Sequence, residues 1–156
     1  MDPANTVSYL LSHTAAVMDR QSDQLLQERL GIGMAQFKVL TTLQERANVQ
    51  QRFLAVMLGQ TEASVSRQIK LLLEKGLLSV QVNPADKRKH VTALTAKGVK
   101  LAQAAREIVD ANHEPALDGL SKKERQQLGE LLQQLHLYYC GEGKSFACST
   151  PWKDPT

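Results

Sequence analysis

The side chains able to do chemistry by type and spacing lie together in the middle of the chain. In TEASVSRQIKLLLEKG, residues 61–76, Val65, Ile69 and Leu72 recur at i, i+4 and i+7. They share one helix face and must turn inward. Thr61, Ala63, Ser64, Ser66, Arg67, Gln68 and Lys70 are left around the other faces as small, hydroxylated or cationic groups. Such a face fits a major groove about 12 Å wide. Arginine bonds a guanine edge or a phosphate, serine either, and glutamine an adenine. A second set follows in NPADKRK, residues 83–89, where Lys87, Arg88 and Lys89 come after Asp86. An arginine on a projecting loop suits a narrow minor groove, whose negative potential is enhanced. Asp86 would be repelled by phosphate, so its expected role is to hold the loop by pairing with an arginine.

Charge placement agrees. Between Thr61 and Lys100, eight basic residues (67, 70, 75, 87, 88, 89, 97 and 100) face three acids (62, 74 and 86), a local balance of +5. The whole chain is only +3, which leaves −2 for the remainder. A basic middle between faintly acidic ends points to a polyanionic partner at the middle.

The elements that must position these groups are mostly helical. Thr61 is a cap that accepts from about the Ser64 N–H, and Gly76 is a stop. A first helix is expected from about Thr6 to Leu30, with Val7, Leu11, Met18 and Leu25 along one face and Leu10, Val17 and Leu26 beside them; GIG at 31–33 ends it. A second, about Ala35 to Arg46, turns Phe37, Leu40 and Leu43 inward. A third, QQRFLAVML, ends at Gly59. Two short helices joined by a glycine-containing turn form a helix-turn-helix. LLSVQV and HVTALT then read as a β-hairpin, with NPADKRK as its long polar tip. Thr95 caps a fifth helix, which Pro115 kinks or ends. Ser121 and Glu124 form a capping box for a last helix carrying Leu128, Leu131, Leu132, Leu135 and Tyr139.

The expected fold is therefore mainly α with a small β-hairpin wing (α+β), a winged helix-turn-helix between terminal helices. Its divisions are an N-terminal dimerisation helix at 1–33, a DNA-binding domain at 34–95, C-terminal dimerisation helices at 96–140 and a tail at 141–156. The first and last helices each carry an apolar stripe while the central unit has its own core. Pairing them across a two-fold would bury both, through Val7, Leu11, Met18, Leu128, Leu132 and Leu135. The two Arg67-bearing helices would then stand about 34–36 Å apart, one turn of a near-palindromic operator.

SVSRQIKLLLEKGLL followed by NPADKRKHVTALTAKG resembles the signature of the MarR family of winged-helix transcription regulators. The likeness covers roughly Gly33 to Ile108 by motif and the whole chain by helix order. It implies a homodimer that binds double-stranded DNA, and often a small-molecule or oxidant signal; a small aromatic or lipophilic effector is expected here. By position, Ser66 and Arg67 would belong to the recognition helix, and Asp86 and Arg88 would be the wing's Asp-x-Arg pair. Three features depart from the pattern. Phe53, Val56 and Met57 are apolar for an outer surface. Gln50 stands where a Ser or Thr cap is usual. Glu62, in the first turn of the recognition helix, suits the helix dipole but repels phosphate, or instead accepts from a cytosine amine.

Other classes find little support. No apolar run approaches the roughly 20 residues of a membrane span. MDPANTVSYLL has neither a basic leader nor a signal-type apolar core, so a cytoplasmic protein is expected. Cys140 and Cys148 read as free thiols, and a redox pair is the lesser reading. GIGMAQ lacks the third glycine and the preceding strand of a dinucleotide fingerprint. There is no Walker motif, zinc spacing or nucleophile elbow. His113–Glu114 is a weak metal candidate, isolated histidines being more often structural. No cofactor, metal or catalytic residue is expected. The alternative is a winged helix used as a protein-interaction module without DNA binding, docking through Phe53, Val56 and Met57.

Overall fold

Helices begin where a side chain accepts from their unpaired first N–H groups, and most of these begin that way. The structure, a computed structural model, describes residues 6–46, 49–83 and 85–140, with backbone alone at 88–90. The elements run α1 (Val7–Leu30), α2 (Met34–Glu45), α3 (Gln51–Leu58), α4 (Glu62–Glu74), β1 (Leu78–Asn83), β2 (Asp86–Leu94), α5 (Ala96–Asp118) and α6 (Lys122–Cys140). Thr6 accepts from Tyr9 N at 3.2 Å, Thr61 from Ser64 N at 3.1 Å and Thr95 from Gly98 N at 3.0 Å. The box at α6 closes both ways: Ser121 N donates to Glu124 Oε2 at 2.9 Å and Glu124 N to Ser121 Oγ at 3.3 Å. The Ser121 hydroxyl also bonds Glu124 and holds its carboxyl below the usual carboxylate range. Gln50 supplies no side-chain cap to α3. For α2 the cap is tertiary: Asp23 of α1 accepts from Met34 N at 2.7 Å.

The core lies where α2, α4 and α5 meet. Leu26, Val39, Leu40, Leu54, Val65, Leu72, Leu77, Ala102 and Ala105 are buried in one cluster, with Ile69 and Phe37 at its edge. Each large side chain here contributes about 1.5–3 kcal/mol by leaving water. Val65, Ile69 and Leu72 turn inward as their spacing predicts. α1 buries only Ser22 and Leu26, and α6 buries nothing. Where α1 crosses α5, the buried Ser22 hydroxyl meets His113 Nε2 at 3.0 Å and receives Asn112 Nδ2 at 3.4 Å. Glu114 bonds Arg125 at 2.9 Å, so His113 and Glu114 turn to different partners. No described helix is long and apolar enough to cross a membrane.

Two sequence expectations need correction. Of a kink or an end at Pro115, the end does not occur: α5 runs through it to Asp118; the ring removes one i→i−4 bond, and the helix continues for three more residues. The hairpin tip is also shorter than NPADKRK. Asn83 Oδ1 accepts from Ala85 N at 2.9 Å, an Asx-type turn that closes the chain at once, and β2 starts at Asp86. Asn83 pairs with Asp86 while Val82 pairs with His90. Residues 87–89 therefore have no partner on β1 and bulge out of the antiparallel ladder. Lys87, Arg88 and Lys89 belong to a bulged strand rather than to a free loop.

Candidate nucleic-acid interface

The end of α4 is fixed by backbone geometry. Gly76 takes φ 68°, with Gly76 N donating to Leu73 O and Leu77 N to Leu72 O, both at 2.9 Å. This is the paired-bond Schellman stop, which a left-handed glycine permits. The Thr95 hydroxyl donates to Gly76 O at 2.8 Å. Gly98 lets α5 come directly against Leu77, since a Cβ there would lie 2.0 Å from the Leu77 carbonyl oxygen. EKG and LTAKG are thus two halves of one joint, which ties the turn after α4 to the start of α5. Lys75 Nζ bonds the Gly31 carbonyl, and Lys97 Nζ donates to Lys75 O at 2.9 Å. These two cations brace the same joint.

With Val65, Ile69 and Leu72 inside, α4 turns Glu62, Ala63, Ser66, Arg67 and Lys70 to solvent. Arg67 and Lys70 make no ion pair or hydrogen bond among the described residues. Ser64 is half-buried, its hydroxyl donating to Gln60 Oε1 at 3.3 Å. Gln68 is half-buried too, in a polar hollow of about 490 Å³ with Gln36, Asp23 and Lys75. Those two lie to the side of the outward face. Thr61 is exposed at the start of the helix. Lys87 is exposed in the bulge, and Asp86 is half-buried and engaged. The side chains of Arg88 and Lys89 lie outside the described residues, as do the tail, Cys148 and Trp152.

Phe53 and Val56 are exposed and Met57 is half-buried. The Arg46 guanidinium lies 5.6 Å from the Phe53 ring centroid, a cation–π contact that covers part of this apolar surface. Sequence reasoning missed three devices. The Asp23 cap comes from another helix. The braces of Lys75 and Lys97 end on backbone carbonyls. The third is an ion pair between Arg52 of α3 and Glu62, 3.9 Å apart. None has a local signature.

The sequence profile of the MarR family matches residues 32–90, from the turn after α1 into β2. The Staphylococcus aureus MepR–DNA complex superposes with a TM-score of 0.73 and 27% identity, over 86% of this chain and 96% of that one. Over its central part the chain is similar to the MarR family. It is 28% identical to the HTH-type transcriptional regulator BilQ of Clostridium symbiosum, over 72% of this chain and 76% of that protein. Its fold is also that of CouR from Rhodococcus jostii RHA1, solved with p-coumaroyl-CoA, at a TM-score of 0.75 and 24% identity over 94% and 96% of the two chains. Within the MarR fold, α4 occupies the second helix of the helix-turn-helix and β1–β2 the wing.

Proposed function

We propose that the protein is a cytoplasmic homodimeric repressor that binds a near-palindromic operator and is released by a small aromatic or lipophilic effector. The observation that carries the DNA reading is the outward face of α4, where Arg67 and Lys70 stand beside Ala63 and Ser66 with no partner among the described residues. Arg67 reads the major groove. Ser66 bonds a base or phosphate, Ala63 lets the helix approach closely, and Lys70 meets the backbone. Thr61 orders the helix start, whose free N–H groups face a phosphate. Ser64 and Gln68 act at the margin of the contact. Arg88 enters the adjacent minor groove from the wing, Lys87 and Lys89 meet phosphates, and Asp86 holds the wing's shape.

Dimerisation is supported by the apolar faces a single chain leaves open. Val7 is 70% exposed, Leu11 39%, Leu128 39%, Leu132 39% and Leu135 42%. Apolar surface left open in this way fits an interface between copies. Met18, half-buried on α1, continues the stripe. An effector seated between the terminal helices and the winged lobe would alter the spacing of the two α4 helices. It would thereby favour the state that fits DNA less well. CouR, with its acyl-CoA, is a structural relative whose bound ligand is of that aromatic kind.

The test is a salt titration of binding to duplex from the flanks of the protein's own gene. Arg88→Ala should weaken binding and make the log–log salt slope shallower by about one unit; unchanged affinity removes the wing from the contact. No retarded duplex at low salt would favour the protein-interaction reading through Phe53, Val56 and Met57.

A further inference from the structure

Glu62 is an exposed carboxylate on the face that carries Ser66 and Lys70, one and two turns further along α4. Facing phosphates it would oppose binding, yet it is not left alone. Arg52, in the first turn of α3, has its Nε 3.9 Å from Glu62 Oε1, the two side chains being 85% and 63% exposed. Gln51 Nε2 donates to the Glu62 carbonyl at 3.3 Å, so the starts of α3 and α4 are joined. The guanidinium therefore stands near the carboxylate and remains open to solvent, able to lie between it and a phosphate.

A carboxylate in the major groove has one good partner. Cytosine presents its N4 amine there with an acceptor on one side only, the paired guanine O6, whereas adenine N6 lies between its own N7 and the thymine O4, and guanine itself offers only acceptors. We infer, on the basis of the DNA-binding reading above, that Glu62 sets a preference for cytosine in each half-site, and that Arg52 positions it by offsetting its repulsion from the backbone. α3 then contributes to base choice without touching a base. The apolar Phe53–Val56 surface beside Arg52 needs no partner protein for this.

The experiment uses the full chain and a pool of randomised duplexes at low salt. If no sequence is enriched, the DNA-binding reading and this inference both fall. With an enriched site in hand, each base pair is replaced in turn. The wild-type protein should lose about tenfold or more at one C·G pair per half-site. Glu62→Ala should flatten that position to within about twofold and leave the others unchanged, and Glu62→Gln should move its preference toward A·T. A Glu62→Ala protein that keeps the cytosine preference, with affinity scaled equally on every duplex, overturns the inference and leaves DNA binding intact. Arg52→Ala should weaken binding to all duplexes several-fold with Glu62 present and much less in the Glu62→Ala background. Arg52→Lys should restore part of the loss. Equal losses in the two backgrounds overturn the positioning role.

Discussion

Replacing Gly98 by alanine sets two effects of opposite sign against each other. Within a helix, alanine is favoured over glycine by about 1 kcal/mol, so α5 taken alone should gain stability. The joint with Leu77 argues the other way. The added Cβ would lie 2.0 Å from the Leu77 carbonyl oxygen, 3.1 Å from its carbon and 3.1 Å from Leu94 Cδ2. The atoms must part by roughly 1 Å or more to reach ordinary contact. The carbonyl cannot simply retreat, because Thr95 N donates to it at 3.1 Å and the Thr95 hydroxyl bonds the neighbouring Gly76 carbonyl at 2.8 Å. Overpacking of this kind costs about 1–3 kcal/mol, and loosening the two bonds about 1 kcal/mol each. Less the helical gain, the net is a loss of about 2–4 kcal/mol. For a chain of this size that is a fall in Tm of roughly 6–12 °C. Thermal denaturation by circular dichroism at one fixed protein concentration reads it directly, since a dimer's Tm depends on concentration. Because Leu77 follows the end of α4 at once, operator affinity should fall as well. An unchanged or raised Tm would show that helix propensity decides at Gly98 and that the joint is not tight.

Other outcomes follow from single contacts. Thr61→Ala removes the acceptor for Ser64 N, and should lower stability by about 1 kcal/mol in urea titration while weakening operator binding. Leu132→Glu with Leu135→Glu places charge on the open face of α6, and should turn a sedimenting dimer into monomers whose helical circular dichroism is retained. The lowered Glu124 carboxyl, held by Ser121, stabilises the folded chain fully above the ordinary glutamate range and loses that effect as pH falls through its folded value. Ser121→Ala should therefore move the Glu124 NMR titration upward, toward the usual range, and reduce the acid dependence of unfolding.

Helix identity was legible because it is written locally. Thr61, Thr95 and the Ser121–Glu124 box each act within three residues, and Val65, Ile69 and Leu72 repeat at helical spacing. What could not be read depends on contacts between elements. NPADKRK carries the composition of a loop, yet an Asx turn at Asn83 closes it early and leaves residues 87–89 as a bulge in β2. Turn-forming composition does not say which residue closes the turn. Pro115 read as a kink or an end because its lost bond is local; the helix does not end there, and Arg125 of α6 bonds Glu114 and Asp118 on either side of it, at 2.9 and 3.0 Å. The sequence placed Ser64 and Gln68 among the polar residues of α4 without saying how far outward each would stand, and both are half-buried. Gln60 and the turn after α1 draw these two sideways. The glycine in LTAKG marked a family likeness, and its physical reason, the approach of Leu77, exists only in three dimensions.

The central claim is that two copies present paired α4 helices to successive major grooves on one face of a duplex. Sedimentation of the protein with a labelled duplex carrying two selected half-sites tests it most directly. Two chains per duplex are predicted with centres one turn apart, and the complex should be lost when about 5 base pairs are inserted between the half-sites, which puts them on opposite faces. A single chain per duplex, bound equally well with and without the insertion, would contradict the account.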